Sequence, residues 1–444
     1  MSPSTPAGPG PASSGFEPGS PLAEVVYEQS LDCVHCGLCL TACPTYLATG
    51  SEVSSPRGRI YLLRGVAEGK IPLGPLVAEE AHLCLGCRAC ESACPSGVEF
   101  GAMIDQARWA VRRAGLRGGL AARIQRWLLR SVVPRPRRLR VLANLLALAQ
   151  QLGLDLLFLP LLPRALREAH ALLPGIPDRR ERVRLPAHTP AEGQQRGRVA
   201  FFTGCVAAEL LPEINRATVR VLARNGFEVV VPREQSCCGA LHAHAGDLDV
   251  ARALARHNAA ALGQGSFDAI VVNAAGCGAA LREAPVWIGG EGDAMAARVR
   301  DVAEFLDEVG LRPAAGGSAI ASRRRTGKPD TAAPLRVCYD DPCHLIHAQG
   351  IAAAPRRLLS QIPGLELVDH HEPGSCCGAA GIYNITHPAM SRAVLDRKMD
   401  FLEAADPDVI ATGNPGCLMQ LRQGARERGM RARVCHPVEL LDEA

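Results

Sequence analysis

The sequence predicts an α+β protein of several domains, in which a helical domain with paired cysteine motifs precedes a duplicated α/β domain built on parallel sheets. Two observations lead to this prediction. One cysteine motif occurs twice near the N-terminus, and from Gly197 onwards strand patterns alternate with helix patterns in two successive rounds. Such alternation is typical of βαβ units, whose strands lie parallel. The length of 444 residues fits two or three domains.

The N-terminal motif has the spacing C-x2-C-x2-C-x3-C-P, and it spans residues 33–44 and again 84–95. Bacterial-type ferredoxins use this spacing to bind a pair of [4Fe–4S] clusters, and the fourth cysteine of each copy binds the other cluster. Structural zinc sites, the alternative, use C-x2-C pairs that lie a dozen or more residues apart. We therefore predict two [4Fe–4S] clusters. The expected ligands are Cys33, Cys36, Cys39 and Cys94 for cluster 1, and Cys84, Cys87, Cys90 and Cys43 for cluster 2.

The overall composition indicates the cellular compartment and the kinds of partner that can be expected. Eighteen cysteines in 444 residues are too few for a disulfide scaffold, and the N-terminal residues lack the basic and apolar regions of a signal peptide. We expect a cytoplasmic location, where clustered cysteines indicate metal or redox chemistry. Aromatic residues make up 4% of the chain and the net charge is +4, so a nucleic-acid partner is not expected.

Composition and motif spacing divide the chain into six segments. Residues 1–22 are predicted to be a disordered tail, 23–115 the two-cluster domain, 116–195 a helical linker, 196–312 the first cysteine-rich domain, 313–334 a second linker and 335–444 the second cysteine-rich domain. Helices are expected at Arg59–Glu68, between the two motifs, and at Gly101–Ala114. A helical insert of this kind resembles the α-helical ferredoxin type found in subunits of respiratory dehydrogenases.

The most apolar stretch of the chain is Val141–Pro163. Gln150, Gln151, Asp155 and Pro160 interrupt it, which argues against a membrane span. We expect a buried helical hairpin or a partner-docking surface. The basic run at 134–140 leaves open an interfacial helix, with a peripheral contact on the cytoplasmic face of the inner membrane.

The two α/β rounds repeat their cysteines with an offset of 138 to 140 residues. Each cysteine follows a predicted strand, and the loops at the carboxyl ends of parallel strands converge on one crevice. We therefore expect four thiols to meet in each round, in an iron–sulfur site, a zinc site or a redox thiol pair. The two predicted sets are Cys205, Cys237, Cys238 and Cys277, and Cys343, Cys376, Cys377 and Cys417.

Other histidines and cysteines receive structural interpretations. We expect four histidines to order their loops by hydrogen bonding rather than to bind a metal: His242, His244, His344 and His347. His370 and His371 are expected at the surface. Cys338, within a predicted strand, and Cys435 are expected to be small buried hydrophobic residues.

The Cys…Cys-Cys-Gly…Cys pattern resembles the cysteine-rich domain of heterodisulfide reductase catalytic subunits. In that family the last element is C-x2-C, and five thiolates bind a non-cubane cluster. Here Ala280 and Gln420 stand at the positions of the fifth cysteine. This departure from the family pattern argues against a non-cubane cluster and against direct disulfide reduction, and it leaves a four-cysteine cluster open in each round.

The whole layout resembles the iron–sulfur subunits of bacterial glycolate oxidase (glycolate dehydrogenase). The resemblance rests on the two cluster motifs, on SPRGRI at Ser55–Ile60, on FTGCV at Phe202–Val206, on QSCCGALHAHAGD at Gln235–Asp247 and on the second Cys-Cys-Gly round. It implies a partnership with two FAD-domain subunits that oxidise glycolate to glyoxylate. The implied task of this subunit is to pass electrons toward a quinone-type acceptor.

The chain has no G-x-G-x-x-G after a strand and no Walker loop, so no flavin, nicotinamide or nucleotide site is recognisable. We therefore expect this chain to carry electrons only, with no catalytic residue of its own. Three alternatives remain: the iron–sulfur subunit of a related lactate or glycerol-3-phosphate dehydrogenase, a heterodisulfide-reductase-like quinone or thiol reductase, and a zinc-stabilised interaction module.

Overall fold

The computed structural model describes residues 16, 20–154, 167, 170, 173, 175–312 and 334–444. The predicted tail at 1–22 lies mostly outside these residues, as do the second linker and the part of the apolar stretch beyond residue 154. The chain groups into two compact units. The first comprises Met1–Gly86, Cys90–Trp127 and His242–Leu248, and the second comprises Cys87–Ala89, Leu128–Leu241 and Asp249–Ala444.

The first unit is helical, as the sequence predicts. Its helices are α1 (Pro21–Leu31), α2 (Pro44–Thr49), α3 (Pro56–Ala67), α4 (Pro75–Leu83), α5 (Ala89–Ser92), α6 (Phe100–Arg113) and the start of α7 (Leu120–Ser131). The helices expected at Arg59–Glu68 and Gly101–Ala114 are confirmed as α3 and α6. Apolar residues of α1, α3, α4 and α6 form its core, with Val26, Leu63 and Met103 almost fully buried.

The start of α3 explains most of the SPRGRI string. Ser55 is the N-cap, and its hydroxyl accepts a hydrogen bond from the amide of Gly58. Pro56 occupies the first helical position, where its missing N–H costs nothing. Gly58 packs against the backbone of Glu52, since a Cβ there would lie 2.1 Å from the carbonyl oxygen. The motif is therefore first a helix start.

The second unit contains the rest of α7, α8 (Pro136–Gln151) and the two α/β rounds apart from His242–Leu248. Its strands are β1 (His188–Thr189), β2 (Gly197–Phe202), β3 (Phe227–Val230), β4 (Ala269–Val272), β5 (Val299–Asp301), β6 (Leu335–Tyr339), β7 (Leu365–Leu367), β8 (Val409–Ala411) and β9 (Arg433–Cys435). The helices of the first round are α9 (Val206–Leu210), α10 (Pro212–Arg224), α11 (Ala240–His244), α12 (Leu248–Gly263), α13 (Ala275–Arg282), α14 (Ala284–Ile288), α15 (Asp293–Ala296) and α16 (Val302–Val309). Those of the second are α17 (Cys343–Gln349), α18 (Ala353–Leu359), α19 (Tyr383–Thr386), α20 (Pro388–Ala405), α21 (Pro415–Glu427) and α22 (Pro437–Glu443).

The two sheets confirm the predicted duplication. The described strands of the first round have the order β1-β3-β2-β4-β5, and those of the second have the order β7-β6-β8-β9. The pairings Val199↔Ala269 and Val337↔Val409 are equivalent, so the register repeats as well. Strand β1 departs from the expectation of purely parallel sheets, because it pairs antiparallel with β3. It comes from the segment predicted as a helical linker.

The two rounds pack against each other through equivalent helices. Helix α10 contacts α22, and its counterpart α18 contacts α16, the counterpart of α22. The interface and the adjoining sheet faces share one apolar core that includes Leu222, Leu306, Leu358 and Leu440. Among the described residues, no helix combines the length and the apolar composition that crossing a bilayer would require.

Candidate functional site

The predicted ligands of cluster 1 surround one cavity in the first unit. Cys33, Cys36, Cys39 and Cys94 all line it, together with Cys90. Most of the remaining lining consists of loop backbone and apolar side chains, including those of Ile60, Val98 and Phe100. Thiolate sulfur is the ligand that iron in such clusters requires. The cavity and its four thiols therefore fit a [4Fe–4S] cluster.

The two motif loops have the same backbone conformation. Positive φ angles occur at His35 (56°) and Gly37 (84°) in the first loop, and at the equivalent Gly86 (67°) and Arg88 (63°) in the second. Residues other than glycine seldom adopt this left-handed conformation, and it persists where the surroundings demand it. Successive turns of this kind point backbone N–H groups into a concavity that suits anionic groups such as iron–sulfur clusters. The loops therefore share a ligand-binding geometry that the repeated spacing predicts.

Two arginines of the SPRGRI string hold the cysteine loops in place. Arg57 donates to the carbonyl oxygen of His35 at 3.1 Å and lines the cluster 1 cavity. Arg59 is buried and bonds the carbonyl oxygen of Glu80 (2.9 Å), its carboxylate (3.1 Å) and the hydroxyl of Thr45 (3.1 Å). The Thr45 hydroxyl in turn lies 3.2 Å from the sulfur of Cys43. In the sequence this string indicates only a family resemblance, and nothing in it predicts that its arginines hold the cysteine loops.

The predicted ligands of cluster 2 are more deeply buried than those of cluster 1. Cys43, Cys84, Cys87 and Cys90 are each less than one-tenth exposed, whereas Cys36 is exposed. Buried Arg108 bonds the carbonyl oxygens of Ala81 and Cys84 and so fixes the start of the second loop. The exposure of Cys36 and the burial of the cluster 2 cysteines therefore place the cluster 1 loop closer to solvent than the cluster 2 loop.

In the first round of the second unit, the four predicted cysteines form a row of thiols. The Cys205 and Cys237 sulfurs are 3.7 Å apart, and those of Cys238 and Cys277 are 3.4 Å apart. The hydrogen bond with Cys237, together with burial, raises the pKa of the Cys205 thiol. The Cys237 contact lowers the pKa of Cys238, but the bond to Cys277 and burial outweigh it, so this pKa is raised too.

The second round assembles its four cysteines in the same order, but the pKa values of its thiols are shifted differently. Hydrogen bonds with Cys343 and Cys377 raise the pKa of the Cys376 thiol. Bonds from Cys376 and Cys417, aided by the charge of buried Lys398, lower the pKa of Cys377 well below its ordinary value. Cys377 is therefore the thiol of this set that most readily becomes a thiolate, the form that binds metals.

The side chain of Asn414 links the two cysteine sets. Asn414 donates to the Cys417 sulfur at 3.4 Å, and its side-chain oxygen accepts from the amide of Gly276 at 3.3 Å. Gly276 immediately precedes Cys277, so the hydrogen-bonded path runs from one set to the other. In the described part of the chain, no three or more His, Cys, Asp or Glu side chains are arranged to hold a single metal ion.

Several of the structural interpretations are confirmed and one is wrong. Cys338 and Cys435 are both buried, as expected, and Cys338 lies within a strand, β6, as predicted. Cys435 lies at the end of β9. His347 bonds the carbonyl oxygen of Gly374 at 2.9 Å, which orders the loop before Cys376. His371 is exposed. His370 is buried rather than at the surface, because its ring lies 3.7 Å from the buried carboxylate of Asp340.

The positions of the missing fifth cysteines have purely structural contacts. Ala280 is buried in the apolar core of the first round. Gln420 is buried, and its side chain donates to the hydroxyl of Ser391 at 3.0 Å and accepts from the side-chain amide of Asn384 at 3.1 Å. Neither position offers a fifth thiolate.

Comparisons with known proteins agree with this geometry. Residues 29–98 match the family described as the 4Fe-4S dicluster domain, and residues 199–282 and 337–422 match the family described as the cysteine-rich domain. A probable glycolate oxidase iron–sulfur subunit of Bacillus subtilis (strain 168) is 36% identical, over 93% of this chain and 94% of its own length. The chain belongs to the family of glycolate oxidase iron–sulfur subunits.

Two further relatives show how far the similarity extends. The glycolate oxidase iron–sulfur subunit of Escherichia coli (strain K12) is 35% identical over 93% of both chains. A protein of Methanosarcina mazei that belongs to a dihydromethanophenazine:CoB–CoM heterodisulfide reductase is 26% identical, again over 93% of both chains. The chain is therefore an iron–sulfur electron-transfer subunit of an oxidoreductase complex, and its cofactors include [4Fe–4S] clusters.

Proposed function

We propose that this subunit accepts electrons from partner FAD subunits that oxidise glycolate to glyoxylate and passes them toward a quinone-type acceptor, in a complex in the cytoplasm. The similarity to glycolate oxidase iron–sulfur subunits over 93% of the chain carries this proposal. Oxidation of a 2-hydroxy acid releases two electrons. When bound, each [4Fe–4S] cluster accepts or releases one electron, which matches the one-electron steps of a quinone acceptor.

We assign the ligands as the motif spacing predicts. Cys33, Cys36, Cys39 and Cys94 would hold cluster 1, because all four line one cavity. Cys84, Cys87, Cys90 and Cys43 would hold cluster 2, whose thiols are buried. The buried Arg59–Glu80 pair and Arg108 would keep the two loops in register. The exposure of Cys36 favours cluster 1 as the site of exchange with an outside partner.

We further propose that each cysteine-rich round holds a four-thiolate site, with Cys205, Cys237, Cys238 and Cys277 in one and Cys343, Cys376, Cys377 and Cys417 in the other. The hydrogen-bonded path from Cys417 through Asn414 to Gly276, the residue before Cys277, supports electron exchange between them. An iron–sulfur cluster is favoured over zinc, since the chain belongs to an iron–sulfur family. A heterodisulfide-reductase-like thiol chemistry is disfavoured, because Gln420 and Ala280 replace the fifth thiolates.

Anaerobic purification of the complex tests the substrate and the direction of electron flow. A tagged subunit should bring down flavoprotein partners, and the complex should reduce a soluble dye with glycolate but not with lactate or glycerol 3-phosphate. A Cys36→Ser variant should retain the partners and lose most of the dye reduction, whereas a Cys338→Ala control should retain both. Dye reduction with lactate alone would replace glycolate as the substrate. Full activity of Cys36→Ser would contradict the ligand assignment.

A further inference from the structure

The segment between the cluster motifs and the first α/β round has an unusual charge. Residues 112–154 contain ten arginines and no Asp, Glu or Lys. Most of these arginines belong to α7, α8 and the turn between them, and Arg123, Arg130, Arg137 and Arg138 are exposed. A one-sided excess of this kind attracts an anionic surface.

Helix α8 exposes a continuous apolar stripe. Val141, Leu145, Leu148 and Leu152 are spaced as neighbours on one helical face and are 58%, 60%, 50% and 62% exposed. The opposite face carries Ala143 and Ala147, which are buried. Single exposed apolar residues are ordinary, but a contiguous patch of this size marks an interaction site.

The basic end of α8 lies on the same side as its apolar stripe. At 100° per residue, Arg137 and Arg138 fall on the angular sector of Val141 and Leu145, one turn closer to the N-terminus. The only polar residue that is exposed between 141 and 154 is Gln151. The face therefore changes from cationic to apolar along its length, as in helices that lie at a lipid interface.

Helix α7 repeats the same design. Leu120, Ile124 and Trp127 follow one face and are 72%, 50% and 60% exposed, while Leu129 on the opposite side is buried. Arg123 and Arg130 are exposed along one flank of this face. Tryptophan with flanking arginines is typical of the boundary between headgroups and acyl chains.

We propose that α8 docks this subunit on an anionic phospholipid surface, with its apolar stripe in the acyl boundary and Arg137 and Arg138 on the phosphates. Helix α7, whose exposed apolar face belongs to the other compact unit, has a face of the same kind. The absence of any acidic residue from 112 to 154 favours phosphate headgroups over a mixed-charge protein surface. The lipid contact stands on α8 alone. Its use, to bring the subunit to a membrane-dissolved quinone, rests on the proposed function.

Vesicle flotation of the purified full-length subunit tests the docking. The protein should float with vesicles of phosphatidylglycerol and phosphatidylcholine, much less with phosphatidylcholine alone, and high salt should weaken the binding. Arg137→Gln/Arg138→Gln should lower the partition coefficient by roughly fivefold for each arginine. Leu145→Gln/Leu148→Gln should lower it by about tenfold or more. The control changes Val286→Gln and Arg431→Gln, at exposed positions outside α7 and α8, should leave it unchanged.

All of these positions are exposed, so each variant should unfold at the wild-type denaturant midpoint. Equal binding to both vesicle types, or equal losses in the controls, would overturn the proposal. So would a leucine variant that floats normally but no longer binds the flavoprotein partners, because the stripe would then be a protein interface. Vesicle binding by a complex that does not oxidise glycolate would support the docking and overturn only the proposed function. In the active complex, the leucine variant should keep dye reduction and lose reduction of vesicle-dissolved quinone.

Discussion

The two α/β rounds share a strand order and a cysteine order, yet they differ in what is buried behind the cysteines. The last residue of β2 is Phe202, and the equivalent residue after β6 is Asp340. The helix that follows each Cys-Cys-Gly carries buried Asn258 in the first round and buried Lys398 in the second. The second round therefore has an ion pair at two positions that are uncharged in the first.

These buried groups act on their cysteine loops in different ways. Asn258 donates to the carbonyl oxygen of Cys237 at 2.9 Å and accepts from the amide of Ser236 at 2.9 Å, so it only ties down the loop. Lys398 lies 2.7 Å from the Asp340 carboxylate. Its positive charge adds to the hydrogen bonds from Cys376 and Cys417, which are the main causes of the lowered pKa of Cys377. The pKa of the equivalent Cys238 is raised. The two rounds therefore share their cysteine order and differ in the electrostatics of their thiols.

The largest effect is expected from removing the charge of Lys398. Burial raises the pKa of Asp340 to about 7, so its carboxylate is ionised above this pH. There, Lys398→Met would leave Asp340, which is 1% exposed, as a buried charge without its cation. The free energy of unfolding of the second unit should fall by about 3–5 kcal/mol, measured by anaerobic urea unfolding. The double variant Lys398→Met/Asp340→Asn should recover a large part of this loss. For Asn258→Ala we expect a loss of about 1–2 kcal/mol. A smaller loss for Lys398→Met than for Asn258→Ala would show that the ion pair does not distinguish the stability of the two rounds.

The glycines after each cysteine pair provide a second matched comparison. Gly378 (φ 88°) and Gly239 (φ 94°) are both left-handed, where a side chain costs roughly 1–2 kcal/mol. A Cβ on Gly378 would lie 2.5 Å from the backbone oxygen of Ser391, whereas one on Gly239 would lie 3.3 Å from Ala251. Gly378→Ala should therefore lower the free energy of unfolding by about 3 kcal/mol, and Gly239→Ala by about 1–2 kcal/mol. Equal losses would show that the clash in the second round is relieved by a small backbone shift.

The equivalent N-caps of α16 and α22 should respond to pH in opposite directions. Burial raises the pKa of Asp301 to about 7 and lowers that of His436 to about 4. As the pH falls from 7 to 5, the unfolded chain takes up a proton at His436 and the folded chain does not, which destabilises the fold by about 2 kcal/mol. At Asp301 the folded chain takes up the proton and the unfolded chain does not, so this residue stabilises the fold by a similar amount.

Two cap variants separate these contributions. Asparagine caps helices without titrating. Relative to wild type, His436→Asn should therefore gain about 2 kcal/mol of unfolding free energy between pH 7 and pH 5, and Asp301→Asn should lose about as much. The measurement is urea unfolding at both pH values. Parallel pH profiles for the two variants would rule out this account of the caps.

Much of this arrangement could be predicted from the sequence, because cluster ligands and βαβ cysteines are set by short spacings. The motif repeats, the offset of the cysteine sets and the buried Cys338 all follow from local patterns. The burial of Lys398 and His370 could not be predicted, since a charged residue reads as exposed until its distant partner Asp340 is known. Strand β1 has only two residues and carries no strand pattern.

The smallest effect concerns the side chain between the two cysteine sets. Asn414→Ala introduces the alanine that the first round has at the equivalent Ala274. The loss of the bonds to Cys417 and Gly276 should lower the free energy of unfolding by about 1 kcal/mol. The hydrogen bond with Cys377 and burial raise the pKa of Cys417, and the bond from Asn414 partly offsets them. Asn414→Ala should therefore raise the pKa of this thiol further in the metal-free protein. An unchanged Cys417 titration would remove Asn414 from the link between the two sets.

The most direct test of the central claim is the iron content of paired cysteine variants, measured with the EPR spectrum of the reduced, anaerobically purified subunit. The crossed ligand assignment places Cys33 and Cys94 on one cluster and Cys43 on the other. Cys33→Ser/Cys94→Ser should therefore lose about four irons, no more than Cys33→Ser alone, whereas Cys33→Ser/Cys43→Ser should lose about eight. Cys435→Ala should lose none. Loss of about eight irons from Cys33→Ser/Cys94→Ser, or zinc in place of iron in the wild-type protein, would contradict the account.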